Sequence, residues 1–372
     1  MQLDLIEDFR NPEHIKALAT LIKKECKSKL NVMEICGGHT HTIMKFGLPQ
    51  ILPDLVEFIH GPGCPVCIMP KERIDHAIAL ASIPDTILTT LGDMIRVPGS
   101  KTSLQKLRAE GKDIRSLYSP LDVLKIAKDN PDKNVVFFAI GFETTTPMTA
   151  VLIDETLKAG LTNLYFHINH VTVPEPIDAI MSSGDSRINA FLGPSHVSVI
   201  TGYGIFEPLV ERYKTPIVVA GFEPVDVMEA ILMIIRQMNN GEHKVENQYK
   251  RAVSKEGNIK AQNLINKFME KRTHFRWRGI GDIANSALKL KDEYGYMDAE
   301  VVFDAILPKG EIDDHKMCIC GDILKGNAKP FDCKVFGKAC VPSNPMGSCM
   351  VSSEGACAAY YKYGKFTGKG MR

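Results

Sequence analysis

Residues 138–152 read FAIGFETTTPMTAVL, and residues 218–232 read VVAGFEPVDVMEAIL. Each opens with a short apolar run, breaks at Gly-Phe-Glu, and resumes at a proline followed by apolar residues at helical spacing. A short apolar run predicts a buried strand, and proline suits a first helical turn, so each stretch predicts strand, loop and helix. Gly, Phe, Glu, Met, Ala and Leu coincide at a constant offset of 80 residues (218 against 138). Two related strand–loop–helix units in one α/β domain account for the echo.

The same alternation runs outward in both directions. Strands are predicted over 32–36, 56–60, 85–90, 135–140, 164–168, 197–201 and 217–220. Pro70 opens a predicted helix over 71–81, and Pro147 one over 148–158 with Thr146 as its N-cap. Gly111, Gly160, Gly184 and Gly241 each follow a helical stretch, where a left-handed cap favours glycine. Strands alternating with helices predict largely parallel sheets. The expected class is α/β, with two α/β domains and a C-terminal iron–sulfur cluster domain. The expected divisions are an N-terminal helical segment at 1–24, a first α/β domain at 25–125, a second at 126–242, and a helical linker with the cluster domain at 243–372.

Composition narrows the function class. The chain has 372 residues, 44% hydrophobic and 24% charged, which is ordinary for a globular protein. Lys+Arg (45) balances Asp+Glu (44), so no global field favours nucleic acid or an anionic membrane. The start, MQLDLIEDFR, carries acids where a signal peptide needs basic residues, and the longest apolar run, 230–235, is far short of a membrane span. A soluble, cytoplasmic protein is the expectation. The basic residues Lys271, Arg272, Arg276 and Arg278 close a charged, helical-looking stretch and read first as a solvated face, second as a partner patch.

Ten cysteines decide more. Four lie at Cys26, Cys36, Cys64 and Cys67, none between 68 and 317, and six at Cys318, Cys320, Cys333, Cys340, Cys349 and Cys357. Two clusters around a cysteine-free middle favour thiol chemistry or metal binding over a disulfide framework. The C-terminal six lack the paired C-x2–4-C knuckles of structural zinc, whereas iron–sulfur cubes tolerate varied spacing. An Fe–S cluster therefore ranks first, zinc second and inert thiols last.

Residues 61–67 read GPGCPVC, a C-x-x-C that serves as a reversible disulfide, a ligand pair or a structural turn. Residues 36–41 read CGGHTH. Cys36 closes a predicted strand, and ligands of open α/β sheets bind at carboxyl ends of strands, so its thiolate is placed as nucleophile or soft metal ligand. His39 and His41 offer ligands, proton donors or hydrogen bonds to the loop. No Walker lysine or full G-x-G-x-x-G accompanies the glycines. In GFETT, Glu143, Thr144 and Thr145 read either as buried capping groups or as lining the same crevice as Cys36. Among His167, His170 and His196, the last is the best site candidate.

These motifs together, CGGHTH, GPGCPVC, GFETT at 141–145, PSHVSVITG at 194–202 and the terminal cysteines, resemble the HypD family of hydrogenase maturation factors. The resemblance spans nearly the whole chain in order. It implies two α/β domains plus a [4Fe-4S] domain, and a scaffold that assembles the Fe(CN)2CO unit of [NiFe]-hydrogenases with HypC, receiving cyanide from HypE. By the same resemblance a C-x12-C-x6-C-x16-C pattern places cluster ligands at Cys320, Cys333, Cys340 and Cys357, leaving Cys318 and Cys349 as extras. Cys36 would bind the Fe(II) that carries the CN and CO ligands, Cys64 and Cys67 would be the redox-active dithiol, and His39, His41, Glu143, Thr144 and Thr145 would surround the cleft. The implied electron route runs from the cluster to the dithiol to the iron. The competing readings are a thiol-disulfide oxidoreductase using Cys64 and Cys67, and a docking scaffold in which the cluster is only a staple.

Overall fold

The computed structural model describes residues 7–184 and 186–364. Nine strands build two parallel sheets: β1 Leu30–Glu34, β2 Val56–His60, β3 Thr86–Leu91, β4 Ile114–Leu117, β5 Asn134–Gly141, β6 Leu164–His170, β7 Ala190–Pro194, β8 Ile217–Ala220 and β9 Val245–Asn247. The first sheet has the order β2-β1-β7-β8-β9 and the second β4-β3-β5-β6, with every pairing parallel. The α/β expectation with parallel sheets holds.

Successive strand residues face opposite sides of a sheet, and the burial pattern follows that alternation. Val135, Phe137 and Ala139 enter an outer core under the helix Thr146–Lys158, while Val136, Phe138 and Ile140 enter a central core. Met33, Ile35, Phe191 and Val219 of the first sheet join that central core from the other side. Val32, Leu192 and Val218 instead meet the helices Pro12–Glu25 and Pro224–Asn240. Fully burying each such side chain contributes about 1.5–3 kcal/mol before entropy is counted.

Several expectations need correction. Strand pairing crosses the boundary expected at 125/126: β3 and β4 pair into the sheet of β5 and β6, and β1 and β2 join β7 to β9. A parallel sheet recruits strands by crossover connections rather than by chain position, so the first sheet is completed only after the second has been inserted. The echoing units are genuine strand–loop–helix units, yet they sit in different sheets, β5 in one and β8 in the other. Residues 197–201 are helical, within Ser195–Thr201, and the strand occupies Ala190–Pro194. The β-branched run there matches strand propensity, but tertiary pairing favours AFLGP, which lies beside β1. Thr145, not Thr146, holds the N-cap position, without a side-chain cap bond. The stretch after 244 is mixed, with the helix Ile259–Phe268 followed by two antiparallel ribbons, Met269–Lys271 with Leu288–Leu290 and His274–Trp277 with Gly281–Ala284.

The basic residues on and just after those ribbons are all paired, and Lys271 stays exposed to solvent as expected. Lys271 pairs with Glu175 at 2.6 Å, Arg272 with Glu300, Arg276 with Asp313 at 2.9 Å, and buried Arg278 with Asp314 at 2.6 Å. The N-terminal helix lies on Pro224–Asn240, where Arg236 meets Glu25 at 2.9 Å. The four expected cap glycines all have positive φ. Among the described residues no helix is long and apolar enough to cross a membrane.

The cysteine-rich end does not stand apart. Cys320, Ile323, Leu324, Val335, Met350, Val351 and Cys357 belong to the same central core as Cys64, Cys67 and the inner faces of both sheets. Its ordering rests on apolar packing shared with the two sheets.

Candidate metal and thiol site

An open sheet of order β2-β1-β7-β8-β9 reverses direction between β1 and β7, and ligands of such sheets bind in the crevice outside that reversal. Cys36 follows β1 as the N-cap of the helix Gly37–Lys45, and His196 follows β7 in the helix Ser195–Thr201. The fold therefore brings residues 160 positions apart (196 against 36) to one sheet edge. Phe222, from the loop after β8, packs against both His39, at 4.6 Å between ring centres, and His196, at 4.3 Å. His196 is exposed and His39 fully buried.

His39 Nε2 donates to the carbonyls of Ala220 (3.2 Å) and Gly221 (3.0 Å), which fixes the neutral tautomer and leaves Nδ1 as an unpartnered acceptor. Burial pushes its pKa down to about 4, so the ring stays neutral at physiological pH. His41 turns the other way and meets Tyr363 edge-on at 5.4 Å. The structure thus groups His39 and His196 and assigns His41 to the contact with the C-terminal helix Ala356–Tyr363.

Cys36 is half-buried. Behind it, Glu34 is wholly buried and accepts from the Cys36 amide at 3.1 Å, from the Thr40 hydroxyl, and from His60 Nδ1 at 2.6 Å. Burial raises the Cys36 thiol pKa, and the Glu354 and Glu34 carboxylates raise it further, against backbone donors at Gly38 and His39. Glu354 is itself pushed up by burial and by Asp93 and Glu34. Glu34 raises both Cys36 and Glu354, which makes the spot electronegative, and a bound metal would pull the thiol to thiolate. Sequence reasoning missed Glu34, His60 and Glu354. Only Glu34, two residues before the motif cysteine, left a local signal.

The glycines are close-approach positions. A Cβ on Gly63 would lie 2.2 Å from the Cys36 nitrogen, and one on Gly37 would lie 2.2 Å from Glu354 Cβ. The Gly37 amide donates to the Gly63 carbonyl at 3.1 Å, which clamps the GPGCPVC loop against the CGGHTH loop. Gly63→Ala should cost about 1–3 kcal/mol, because backbone rather than a flexible side chain must yield. A urea midpoint equal to wild type would contradict that contact.

Cys64 caps the short helix Pro65–Ile68, and its sulfur lies 2.6 Å from that of Cys67. Both thiols are buried. Contact continues into the C-terminal segment: Ser348 donates to the Cys67 carbonyl at 2.5 Å, and Cys349 touches both Cys67 and Cys320. Thiol contacts from Cys320 and Cys67 pull the Cys349 pKa down to about 6. Cys320 in turn lies 3.1 Å from Cys318 and meets Cys357. Cys340 accepts from the Met346 amide at 3.4 Å, and Cys333 lies 3.8 Å from the Met317 carbonyl. A continuous line of sulfur contacts, Cys64–Cys67–Cys349–Cys320, thus joins the two cysteine clusters.

The C-terminal cysteines gather closely enough to hold a metal cluster. A tetrahedral zinc with 2.3 Å bonds would draw four sulfurs to about 3.8 Å from one another. Among the described residues no three of these cysteines meet within 4.8 Å; the one group that does is His76, His167 and Glu300. Gly347 adds a cradle, since a Cβ there would lie 2.6 Å from the Cys318 sulfur and 2.7 Å from that of Cys320. The histidine group is already committed. Glu300 binds Arg73 and Arg272, His76 Nε2 donates to the Pro308 carbonyl at 3.0 Å, and His167 bonds His76 at 3.1 Å and Asn169 at 2.9 Å.

The GFETT residues lie elsewhere. Glu143 lines a cavity whose walls do not include Cys36, Thr144 is half-buried, and Thr145 bonds the Phe142 carbonyl at 3.2 Å. Burial raises the Glu143 pKa to about 7, against a usual 4.5. A carboxyl raised on folding stabilises the native state fully below about pH 4.5, and that stability is lost as pH rises to about 7, a loss of roughly 3 kcal/mol. Glu143→Gln should therefore flatten the fall in unfolding free energy between pH 4 and pH 8. An unchanged slope would contradict a buried, protonated carboxyl.

The family model HypD, described as "Hydrogenase formation hypA family", matches residues 13–364. The chain belongs to the HypD family. It is 51% identical over 369 residues to hydrogenase maturation factor HypD2 of Bradyrhizobium diazoefficiens, covering 97% of each chain. It is 49% identical to HypD of Azotobacter vinelandii, again over 97% of each. HypD of Escherichia coli is 42% identical, over 96% of this chain and 97% of the relative. Likeness of this extent makes the chain a hydrogenase maturation factor.

Proposed function

We propose that the protein is the scaffold on which cyanide and CO are installed on an iron destined for [NiFe]-hydrogenase. The iron, as substrate, is gripped by the Cys36 thiolate with a second thiolate from HypC, and cyanide arrives as a thiocyanate carried by HypE. The observation that carries this reading is Cys36 at the carboxyl-end crevice of the first sheet, half-buried beside the acids Glu34 and Glu354.

Releasing cyanide from a thiocyanate takes two electrons: R–S–C≡N plus two electrons gives R–S⁻ and CN⁻. Cys64 and Cys67 supply them by forming a disulfide and releasing two protons. A [4Fe-4S] group, when bound, supplies electrons singly to restore the dithiol. Cys333, Cys340 and Cys357 are its proposed ligands. Cys320 is the fourth implied by spacing, while its contact with Cys349 makes its neighbour Cys318 the alternative. Cys349 is the bridge for electrons between the C-terminal sulfurs and Cys67.

Burial disfavours a general thiol-disulfide oxidoreductase, because exchange requires access and Cys64 and Cys67 are 3% and 1% exposed. Electron paramagnetic resonance of the reduced, anaerobically purified chain tests the ligand set. A cubane signal should survive substitution of one of Cys318 and Cys320 by Ser and vanish on substitution of the other. Survival in both variants would remove this pair from the ligand set.

A further inference from the structure

The second sheet has its own site at a carboxyl edge. In the order β4-β3-β5-β6 the strand order switches sides between the parallel strands β3 and β5, and Glu143 follows β5 by two residues. It lines a cavity of about 270 Å³ that extends under the loop after β6. Ile200, Ile205, Ile265, Met269 and Leu288 form its apolar wall. Glu143 is 7% exposed; Oε1 accepts from the Val173 amide at 2.9 Å, while Oε2 has no partner.

Once ionised above about pH 7, Glu143 leaves a buried carboxylate oxygen without a donor, which is costly, and native proteins leave few such atoms unexplained. Thr172, Thr201, Gln262 and Asn266 share the lining, yet none of them bonds Glu143 Oε2. The other acids of the lining are already matched, Glu175 with Lys271 at 2.6 Å and Glu270 with Lys289 at 3.0 Å. Glu143 is thus the lining acid with an unmet demand for a donor, and the apolar wall asks for a hydrocarbon body. The volume lies below the usual range of drug-sized pockets and suits a group the size of an amino-acid side chain.

We propose that this cavity binds an aliphatic primary ammonium, which donates an N–H to Glu143 Oε2 and lays its carbon chain against Ile205, Ile265 and Leu288. The site is separate from Cys36 and stands whether or not the iron reading does. Calorimetric titration of the full chain at pH 8, where Glu143 is ionised, tests it with n-butylammonium chloride as probe. The expected result is saturable binding, at least tenfold weaker for 1-butanol and at least tenfold weaker in Glu143→Gln. Titration with Nα-acetyl-lysinamide then identifies the source: binding marks a lysine side chain, and no binding marks a free alkylamine. Should Glu143→Gln fail to fold by circular dichroism, Leu288→Trp fills the cavity from the opposite wall and should also abolish binding. Absence of saturable butylammonium binding, equal binding of 1-butanol, or undiminished binding in either folded variant would overturn the proposal.

Discussion

Cys36→Ala should lose the substrate iron outright while leaving the cysteine-rich end intact. The variant, co-purified with HypC without oxygen, should keep the visible absorption of a cluster and show neither cyanide nor carbonyl stretching bands. The asymmetry follows from position. Cys36 stands at the carboxyl edge of the first sheet, whereas the C-terminal sulfurs lie in the central core and touch the Cys64–Cys67 loop. Removing the Cys36 sulfur deletes the soft donor, and Glu34 stays bonded to Thr40 and His60. Cys36→Ser would not rescue, because a hydroxyl at that half-buried, acidic spot ionises even less readily than the thiol. Full stretching bands in Cys36→Ala would place the iron elsewhere.

Cys64→Ser should separate holding the iron from dressing it. The iron content should remain, and cyanide transfer should fall to background, since a lone thiol cannot form the disulfide that releases two electrons. Cys349→Ser should behave differently again. With the dithiol reduced beforehand, one round of transfer should proceed, and repeated rounds should fail, because the sulfur that touches both Cys67 and Cys320 is gone. Undiminished transfer by Cys64→Ser would remove the dithiol from the mechanism. Undiminished repeated transfer by Cys349→Ser would remove only the bridge.

Local signals carried part of this picture. β2 and β8 fall on their apolar runs without adjustment, and Pro70 and Pro147 mark helix starts, because burial and φ restriction act within a few residues. What escaped is set by distant pairing. Nothing near 125 or 190 announces that β7 will sit beside β1, so the two sheets interleave where a linear division was expected. The same limit shaped the site. Cys36 and the C-x-x-C stood out by residue type and glycine context. Glu354 and Phe222 reach the crevice only through tertiary closure, and Cys349 became informative only once Ser348 was seen bonded to Cys67. GFETT shows the converse. Its residues follow a strand end, as their sequence predicts, but the end belongs to the second sheet, and Glu143 opens on its own cavity.

The most direct measurement is infrared spectroscopy of the wild-type chain purified anaerobically with HypC from cells making HypE. Bands in both the cyanide and the carbonyl stretching regions, shifting when the thiocyanate donor is isotopically labelled at carbon, are the predicted result. An iron-loaded complex with no such bands would contradict the assignment of Cys36 as the place where the iron acquires its diatomic ligands.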